Sequence, residues 1–420
     1  MSMPAWIEKI KLPQDEPLSW LRAYQAKQHD LFLQQGIPSR QHERFKYTDF
    51  SCFSSHEFKQ GNIIHDAKII EAVNKQFPTE KHQARIVFID GYFSDACSDI
   101  TMLAANVIAS TIKEAPAELI KKHWPTQTNS TFYPFANLNT GSFTDGLFLY
   151  VPDQLHVETP IHVLSVSTGL CAGFQQHVIV LGKHSQVVMC EEFVSLSDEP
   201  SYLNSMQTIK MGDCAKLSLH QLQNQSTQAI HMTNTFVHQL QNSVLNYVNF
   251  SRGARFSRDD VAIFLEEKGA ECSTAGFSRL KHDDQYIDHH VDIYHLAPNS
   301  RSEMLYKSVL DKKSRFVFNG RLYVEKDAQK IMAYQANHNI LLSNTAEVYS
   351  KPELEIYADD VKCKHGATTG QMDEDALFYL RARGIPIDAA RNMLLRGFAD
   401  EVIQRATLDG VKIRAKEWVQ

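Results

Sequence analysis

The residues best suited to metal or proton chemistry lie near position 365. Cys363 and His365 are separated by one residue in the stretch VKCKHGAT. In an extended strand this spacing puts both side chains on one face, roughly 7 Å apart. Thiolates bind iron–sulfur clusters, and imidazole can bind iron or transfer protons near neutral pH. From the spacing alone, a histidine that packs or caps a turn before Gly366 and a cysteine that acts as a small hydrophobic residue are the more ordinary interpretations.

Two other groups of residues could also support chemistry. Glu353 and Glu355 share a strand face, which would suit acid–base catalysis by paired carboxylates. A charged edge that prevents the strands from adding to another chain is the favoured interpretation. His289, His290 and His295 are clustered in sequence, but neighbours on a strand point to opposite faces, so we expect surface or interface packing. The sequence contains no GxxxxGK[ST] motif for binding ATP phosphates and no GxSxG nucleophile motif.

The composition narrows the class of protein. The 420 residues are 43% hydrophobic and 22% charged, with a formal net charge of -6. This mild acidity argues against a nucleic-acid partner, because phosphate binding needs a basic face. No apolar run approaches the roughly 18 residues needed to span a bilayer, and the amino terminus lacks a secretory signal. The seven cysteines are scattered without a CxxC pair, which is typical of reduced cytosolic thiols. We therefore expect a cytoplasmic protein without a membrane partner.

Residues 1–130 form a first region with a mostly helical pattern. Apolar spacing predicts helices over 18–35 and 66–77, and a largely helical segment over 101–124. Residues 86–93 are typical of a strand with a turn.

Residues 131–370 form a central region of short strands with an internal repeat. A turn followed by a β-run recurs every 28–30 residues, at Gly182, Gly212, Gln241, Gly269, Pro298 and Asp327. A steady period of this length predicts a coiled sheet, because stacked turns build a continuous core that no single turn can bury. An antiparallel sandwich with similar strand spacing remains an alternative. The pattern does not reveal whether one period is one coil.

Residues 371–420 return to a helical pattern. Gly384 and Pro386 separate two helices, so we expect a helical hairpin over 373–404, followed by a loosely held basic tail. A two-helix unit buries little apolar surface, and the residues left over need a partner. The second helix carries three such residues: Met393, Leu394 and Phe398.

Several distinctive blocks lie within residues 286–403: PELEI at 352–356, VKCKHGAT at 361–368 and LFYLRARGI at 377–385. Together they closely resemble the SufB/SufD family of iron–sulfur cluster assembly proteins. The segment PSRQHERFKYT at 38–48 is similar to the family's amino-terminal P-x-R-x-E-x-W-K-Y-T element, with Phe45 in place of the usual tryptophan.

Within that family, the resemblance is to the SufD-type members. SufB-type members are longer and carry cysteine-rich stretches that are absent from this sequence. They also have a glutamate after the histidine of the H-E-A-T block, where this chain has Gly366 after His365. Without that carboxylate, we expect this chain to hold a cluster less well alone.

The resemblance implies a mainly β fold, with a right-handed parallel β-helix core flanked by amino- and carboxy-terminal α-helical regions. It implies a scaffold without catalytic turnover that pairs with a SufB-like subunit and binds a SufC-like ATPase through the hairpin at 373–404. An iron–sulfur cluster would form transiently at the SufB interface, with none held permanently by this chain alone. His365 would act there in iron entry or coordination, and is preferred over Cys363. A β-helical carbohydrate-active enzyme and a homodimer that holds a cluster without SufB are the alternatives.

Overall fold

The computed structural model describes residues 3–12, 18–78, 82–125 and 132–419. Helices lie mainly at the two ends of the chain, and the centre is built of strands. The α-helices are α1 (Ala5–Glu8), α2 (Ser19–Gln35), α3 (Ala67–Gln76), α4 (Ala117–His123), α5 (Pro134–Ser142), α6 (Glu374–Arg381), α7 (Ile387–Ile403) and α8 (Asp409–Trp418). Short 3-10 turns lie at Glu43–Phe45, Phe50–Ser54 and Asp95–Cys97.

The strands form two sheets that face each other across one core. The first sheet (sheet A) contains, in spatial order, β19 (Glu347–Ile356), β17 (Arg315–Val324), β15 (Tyr286–His295), β13 (Phe256–Leu265), β11 (Ile230–Gln239), β9 (Tyr202–Met211), β7 (Cys171–Leu181), β5 (Leu147–Val151) and β4 (Ile108–Thr111), with β1 (Lys59–Gln60) beside β7. The second (sheet B) contains β20 (Val361–Gln371), β18 (Ile331–Leu341), β16 (Arg301–Leu310), β14 (Glu271–Leu280), β12 (Val244–Ser251), β10 (Lys216–Asn224), β8 (Gln186–Ser195), β6 (Ile161–Ser167), β2 (Ala84–Ile89) and β3 (Tyr92–Phe93).

The chain alternates between the two sheets, so two successive strands complete one coil of a β-helix. Strands β7 to β20 form about seven coils. Neighbouring strands in this part of each sheet are parallel, and Phe256 of β13 lies opposite Tyr286 of β15, one coil later. The parallel pairing excludes the antiparallel sandwich. The sequence repeat of 28–30 residues therefore corresponds to one coil.

A recurring backbone conformation marks one corner of each coil. One residue at this corner has a positive φ in six successive coils: His184, Cys214, Asn242, Gly269, Asn299 and Lys330. Each of these residues also donates its backbone N–H to the corner of the next coil, as Cys214 does to Gln241 at 2.8 Å. Only one of the six is glycine, so the bonds between coils offset the strain that positive φ imposes on the others.

A buried ion network attaches the amino-terminal region to the outer face of sheet A. Arg258 is fully buried and donates to Asp260 and Asp288 at 2.7 Å each. Arg44 of the 38–48 segment reaches the same carboxylate of Asp260 at 3.1 Å. Although burial alone would raise it, Arg258 and His290 hold the pKa of Asp288 below its ordinary value. Because the charges are mutually paired, the segment can be buried without leaving a charged group unpaired.

The three clustered histidines lie elsewhere than the sequence predicted. His289, His290 and His295 are all buried, so surface packing was the wrong interpretation. His290 contacts Asp288 within the network at 2.9 Å. His289 contacts the Ser278 hydroxyl inside the β-helix at 3.0 Å.

Two other expectations also change. The segment predicted as helical over 101–124 contains strand β4 as well as helix α4. The predicted loose tail contains helix α8, with Trp418 only 6% exposed. The Trp418 ring lies under the Arg252 guanidinium at 5.1 Å, and Arg414 of α8 pairs with Glu192 on the outer face of sheet B. The tail is therefore part of the helical cover of that face.

The interior of the β-helix is mostly apolar but includes a buried carboxyl group at Glu191. Its Oε2 atom accepts hydrogen bonds from the side-chain amides of Gln207 at 3.0 Å and Gln221 at 3.2 Å. Burial raises the pKa of Glu191 to about 7, against the opposing hydrogen bonds from Gln221 and Gln207. The folded protein therefore binds this proton more tightly than the unfolded chain does.

We predict that Glu191→Gln makes stability less dependent on pH. A carboxyl group with a raised folded-state pKa loses its stabilising contribution as pH rises from the ordinary value near 4.5 to about 7. In the wild type this loss should reach roughly 3 kcal/mol. Urea unfolding of both proteins at pH 5 and pH 8 gives their free energies of unfolding. The free energy of unfolding of the variant, relative to that of the wild type, should be higher at pH 8 than at pH 5. The control is Glu267→Gln, an exposed substitution of the same type, which should leave the pH dependence of stability unchanged. If the free energy of unfolding changed equally with pH in the wild type and in Glu191→Gln, the prediction would be contradicted.

We also predict that Trp418→Ala lowers the free energy of unfolding by about 3–5 kcal/mol, because it removes a large buried side chain. Urea denaturation measures the change. Lys416→Ala on the exposed face of the same helix should change stability by less than about 0.5 kcal/mol. Similar effects for the two variants would mean that α8 is held weakly.

Candidate functional site

The last coil of the β-helix ends in two uncovered strand edges. β19 and β20 each pair with a strand on one side only. The opposite end differs, because the antiparallel strands β3 and β4 extend the sheets there. β20 has exposed side chains over most of its length. Its unpaired backbone N–H and C=O groups can therefore accept a strand from another chain.

Cys363 and His365 lie on this terminal strand and share a face, as their spacing predicts. They are opposite Ala333 and Gln335 of β18, two buried residues that point into the β-helix. Because no further coil follows, the same inward position leaves His365 exposed. Cys363 is half-buried against the apolar core, and burial raises the pKa of its thiol. The pair thus combines an accessible imidazole with a thiol that favours the protonated form.

The surroundings of His365 leave space for a partner. Gly366, the next residue, has open space where a Cβ atom would lie, and its φ is not in the left-handed region. Neither packing nor backbone conformation therefore demands glycine there. Lys362 and Lys364 are exposed on the other face of the strand. The edge thus presents the imidazole on one face and two cations on the other.

Glu353 and Glu355 are not a free carboxylate pair. Both oxygens of Glu355 accept hydrogen bonds from Arg321, at 2.8 Å each. Glu353 is ion-paired with Lys351. These contacts lie on the outer face of β19 and engage both carboxylates in structural ion pairs.

The described parts of the chain contain neither a metal-binding cluster nor a membrane-spanning helix. Among the residues that the structure describes, no three His, Cys, Asp or Glu side chains are grouped so that they could hold a metal ion. In the same residues, no helix has both the length and the apolar character needed to cross a membrane.

The carboxy-terminal hairpin, helices α6 and α7, exposes a second candidate surface. Of the three residues singled out from the sequence, Met393 is 50% exposed and Leu394 is half-buried. Phe398 instead packs on the β-helix, where the Lys307 ammonium lies 4.9 Å from its ring and donates to its backbone oxygen. It contributes to attachment of the hairpin.

Helix α6 adds two exposed aromatic residues that were not among the residues predicted from the sequence. Phe378 is 73% exposed and Tyr379 is 56% exposed. The helical spacing in the sequence could have identified them. Leu377 and Leu380 are three residues apart and define the inner face of the helix, so the two aromatic residues between them lie on the outer face. We call Phe378, Tyr379 and Met393 the hairpin surface.

Comparison with known proteins places this architecture in a family context. Residues 164–398 match the profile described as "SUF system FeS cluster assembly, SufBD core domain", and residues 7–163 match "SufBD protein N-terminal region". An iron–sulfur cluster assembly SufBD family protein of Synechocystis sp. is 28% identical, over 93% of this chain and 88% of the relative. SufD of Escherichia coli is 26% identical, over 93% of this chain and 90% of the relative. SufB of Bacillus subtilis is 23% identical, over 69% of this chain and 63% of that protein.

Proposed function

The chain belongs to the SufBD family of iron–sulfur cluster assembly proteins, and from this premise we propose that it is a SufD-type scaffold subunit without catalytic turnover. It would pair with a SufB-like subunit, bind a SufC-like ATPase and act in the cytoplasm. The observation that carries the proposal is the uncapped last coil, where an exposed histidine lies on an unpaired strand edge.

Pairing with the SufB-like subunit would use the edges of β19 and β20. These strands are 10 and 11 residues long, which is long enough for several backbone hydrogen bonds to a second chain. A second copy of this chain could use the same edges, which keeps the homodimer as a competing assembly.

The cluster, as the cargo of this assembly, would form transiently at the paired edges. His365 and Cys363 can supply two ligands at most, whereas clusters are commonly held by four. The remaining ligands would come from the SufB-like subunit, so this chain alone would hold no permanent cluster. His365 is the preferred residue for iron entry or coordination because it is exposed, whereas the Cys363 thiol is half-buried and favours its protonated form.

The hairpin surface is our proposed docking site for the SufC-like ATPase. Exposed aromatic and methionine side chains are the residue types enriched at protein interfaces. Lys307 fixes the hairpin to the β-helix through the backbone oxygen of Phe398 and the carboxylate of Glu401. Movement of a docked ATPase could therefore reach the β-helix and reshape the shared edge.

The carbohydrate-active alternative is disfavoured for a physical reason. It needs one free acid and one free base, yet Glu355 is engaged by Arg321 and Glu353 by Lys351. Because each carboxylate is held by a neighbouring cation, neither is free to act as the acid or the base.

We predict that His365→Ala leaves the complex assembled and its ATPase active but reduces cluster maturation at least about tenfold, because an imidazole ligand or proton carrier is lost. Maturation is followed anaerobically by the visible absorption of the purified complex. Lys364→Ala, on the other face of the same strand, is the matched control and should stay within about twofold of wild type. Normal maturation by His365→Ala would remove the proposed role.

We predict that Met393→Glu prevents co-purification of an ABC-type ATPase with the tagged chain, because docking would bury an unpaired carboxylate. Ile413→Glu is the matched control, since Ile413 is 59% exposed on α8, outside the hairpin surface. It should retain the ATPase.

The same pull-down decides the partner at the strand edge. Recovery of a longer homologue supports the SufB-like pairing, and recovery of the tagged chain paired only with itself supports the homodimer. Retention of the ATPase by both charged variants would exclude the hairpin surface as its docking site.

A further inference from the structure

A cleft of about 480 Å³ lies beside the carboxy ends of β12 and β14, three coils before the terminal strand. It is lined by three cationic side chains, Arg252, Arg279 and Lys281, and by His282, whose pKa is lowered by burial and by the neighbouring cations. Asp198 is the one carboxylate among the described residues that line it. The volume is within the range of small-molecule sites.

The fold holds like charges close together in this cleft. Ser251 of β12 lies opposite Ser278 of β14, so Arg252 and Arg279 follow at equivalent positions on adjacent coils. Lys281 follows Arg279 by two residues, so it is close to both arginines. Burial, together with repulsion from Arg279 and Arg252, lowers the pKa of Lys281. The cations are thus packed at an energetic cost.

Arg279 is the central residue of the cluster. It is only 6% exposed, and its Nη1 donates to the backbone oxygens of Leu280 at 2.9 Å and Val309 at 3.4 Å. Its Nε–H has no hydrogen-bond partner among the described residues. Burial lowers its pKa to about 10, so it remains cationic at neutral pH. A buried cation with an unused donor is costly unless an anion binds it.

The neighbouring groups fix the cations without neutralising the cluster. Arg252 donates from Nε to the Asn224 side-chain oxygen at 2.7 Å, and its guanidinium is held over the Trp418 ring. Two carboxylates interact with the three cations from outside the cleft: Asp311 with Arg279 and Lys281, and Glu417 with Arg252. The hydroxyls of Ser226 and Thr227 also line the cleft and can donate to a bound oxygen atom.

We propose that this cleft binds a small oxyanion of the phosphate class, either inorganic phosphate or the phosphate group of an ester. Arg279 would donate its unpartnered Nε–H, Arg252 and Lys281 would supply charge, and the hydroxyls would complete the set of donors. Charge-assisted hydrogen bonds of this kind are the strong ones for phosphate. Binding would also offset the repulsion that Arg279 and Arg252 exert on Lys281. The site is separate from the His365 edge.

The test is direct binding of inorganic phosphate to the full chain, by isothermal titration calorimetry in low-chloride buffer. We expect one saturable site, and at least about tenfold weaker binding in Lys281→Gln. Lys281 is half exposed, so this variant should fold. Lys268→Gln, at an exposed turn elsewhere, is the matched control and should bind as wild type does.

A second titration with glucose 6-phosphate distinguishes the two sources of the anion. Tighter binding than inorganic phosphate identifies an ester, and weaker binding identifies the free ion. Failure of wild type to bind either probe saturably up to about 10 mM would overturn the proposal. Equal loss of binding in Lys281→Gln and Lys268→Gln would overturn it too, because it would indicate general surface charge.

Discussion

Each coil of this β-helix satisfies its backbone hydrogen bonds through the coils on either side of it. This constraint keeps the strands of both sheets in register, and at the corners it holds non-glycine residues such as Cys214 and Asn242 at positive φ. It also makes the last coil different from the others. The antiparallel strands β3 and β4 extend the sheets at the first end, but β19 and β20 have no following coil. The exposed edge and the accessible imidazole of His365 are both consequences of where the stacking stops.

The outer faces of the two sheets are covered in different ways, and this leaves the terminal edge as the open surface. On sheet A, the amino-terminal segment is held by paired charges centred on Arg258. On sheet B, helices α7 and α8 pack through an apolar cluster that includes Leu395, Trp418 and Phe250, together with the partly exposed ion pairs Lys307–Glu401 and Arg414–Glu192. Charge pairing requires a specific position of the segment on sheet A, because a misplaced segment would leave a buried charge unpaired.

Two groups of arginines differ in how far neighbouring carboxylates compensate their charge. Arg44 and Arg258 are surrounded by Asp260, Asp288 and Asp292, so their charges are balanced within the protein. Arg252 and Arg279 share their cleft with Lys281, and only Asp311 and Glu417 compensate these three cations from outside it. An anion bound in the cleft, as we propose, would complete this partial compensation.

The sequence by itself determined the features that depend on local periodicity. The repeat of 28–30 residues specified the coils, strand alternation put Cys363 and His365 on one face, and the turn at Gly384 separated two helices. The tertiary structure decided which faces are covered, because covering residues come from distant parts of the chain. His290 is buried by a segment more than 200 residues earlier that includes Arg44, and Trp418 orders a tail that looks polar in isolation. Alternation reveals the two faces of a strand, but only the packing of the whole chain determines which one meets water.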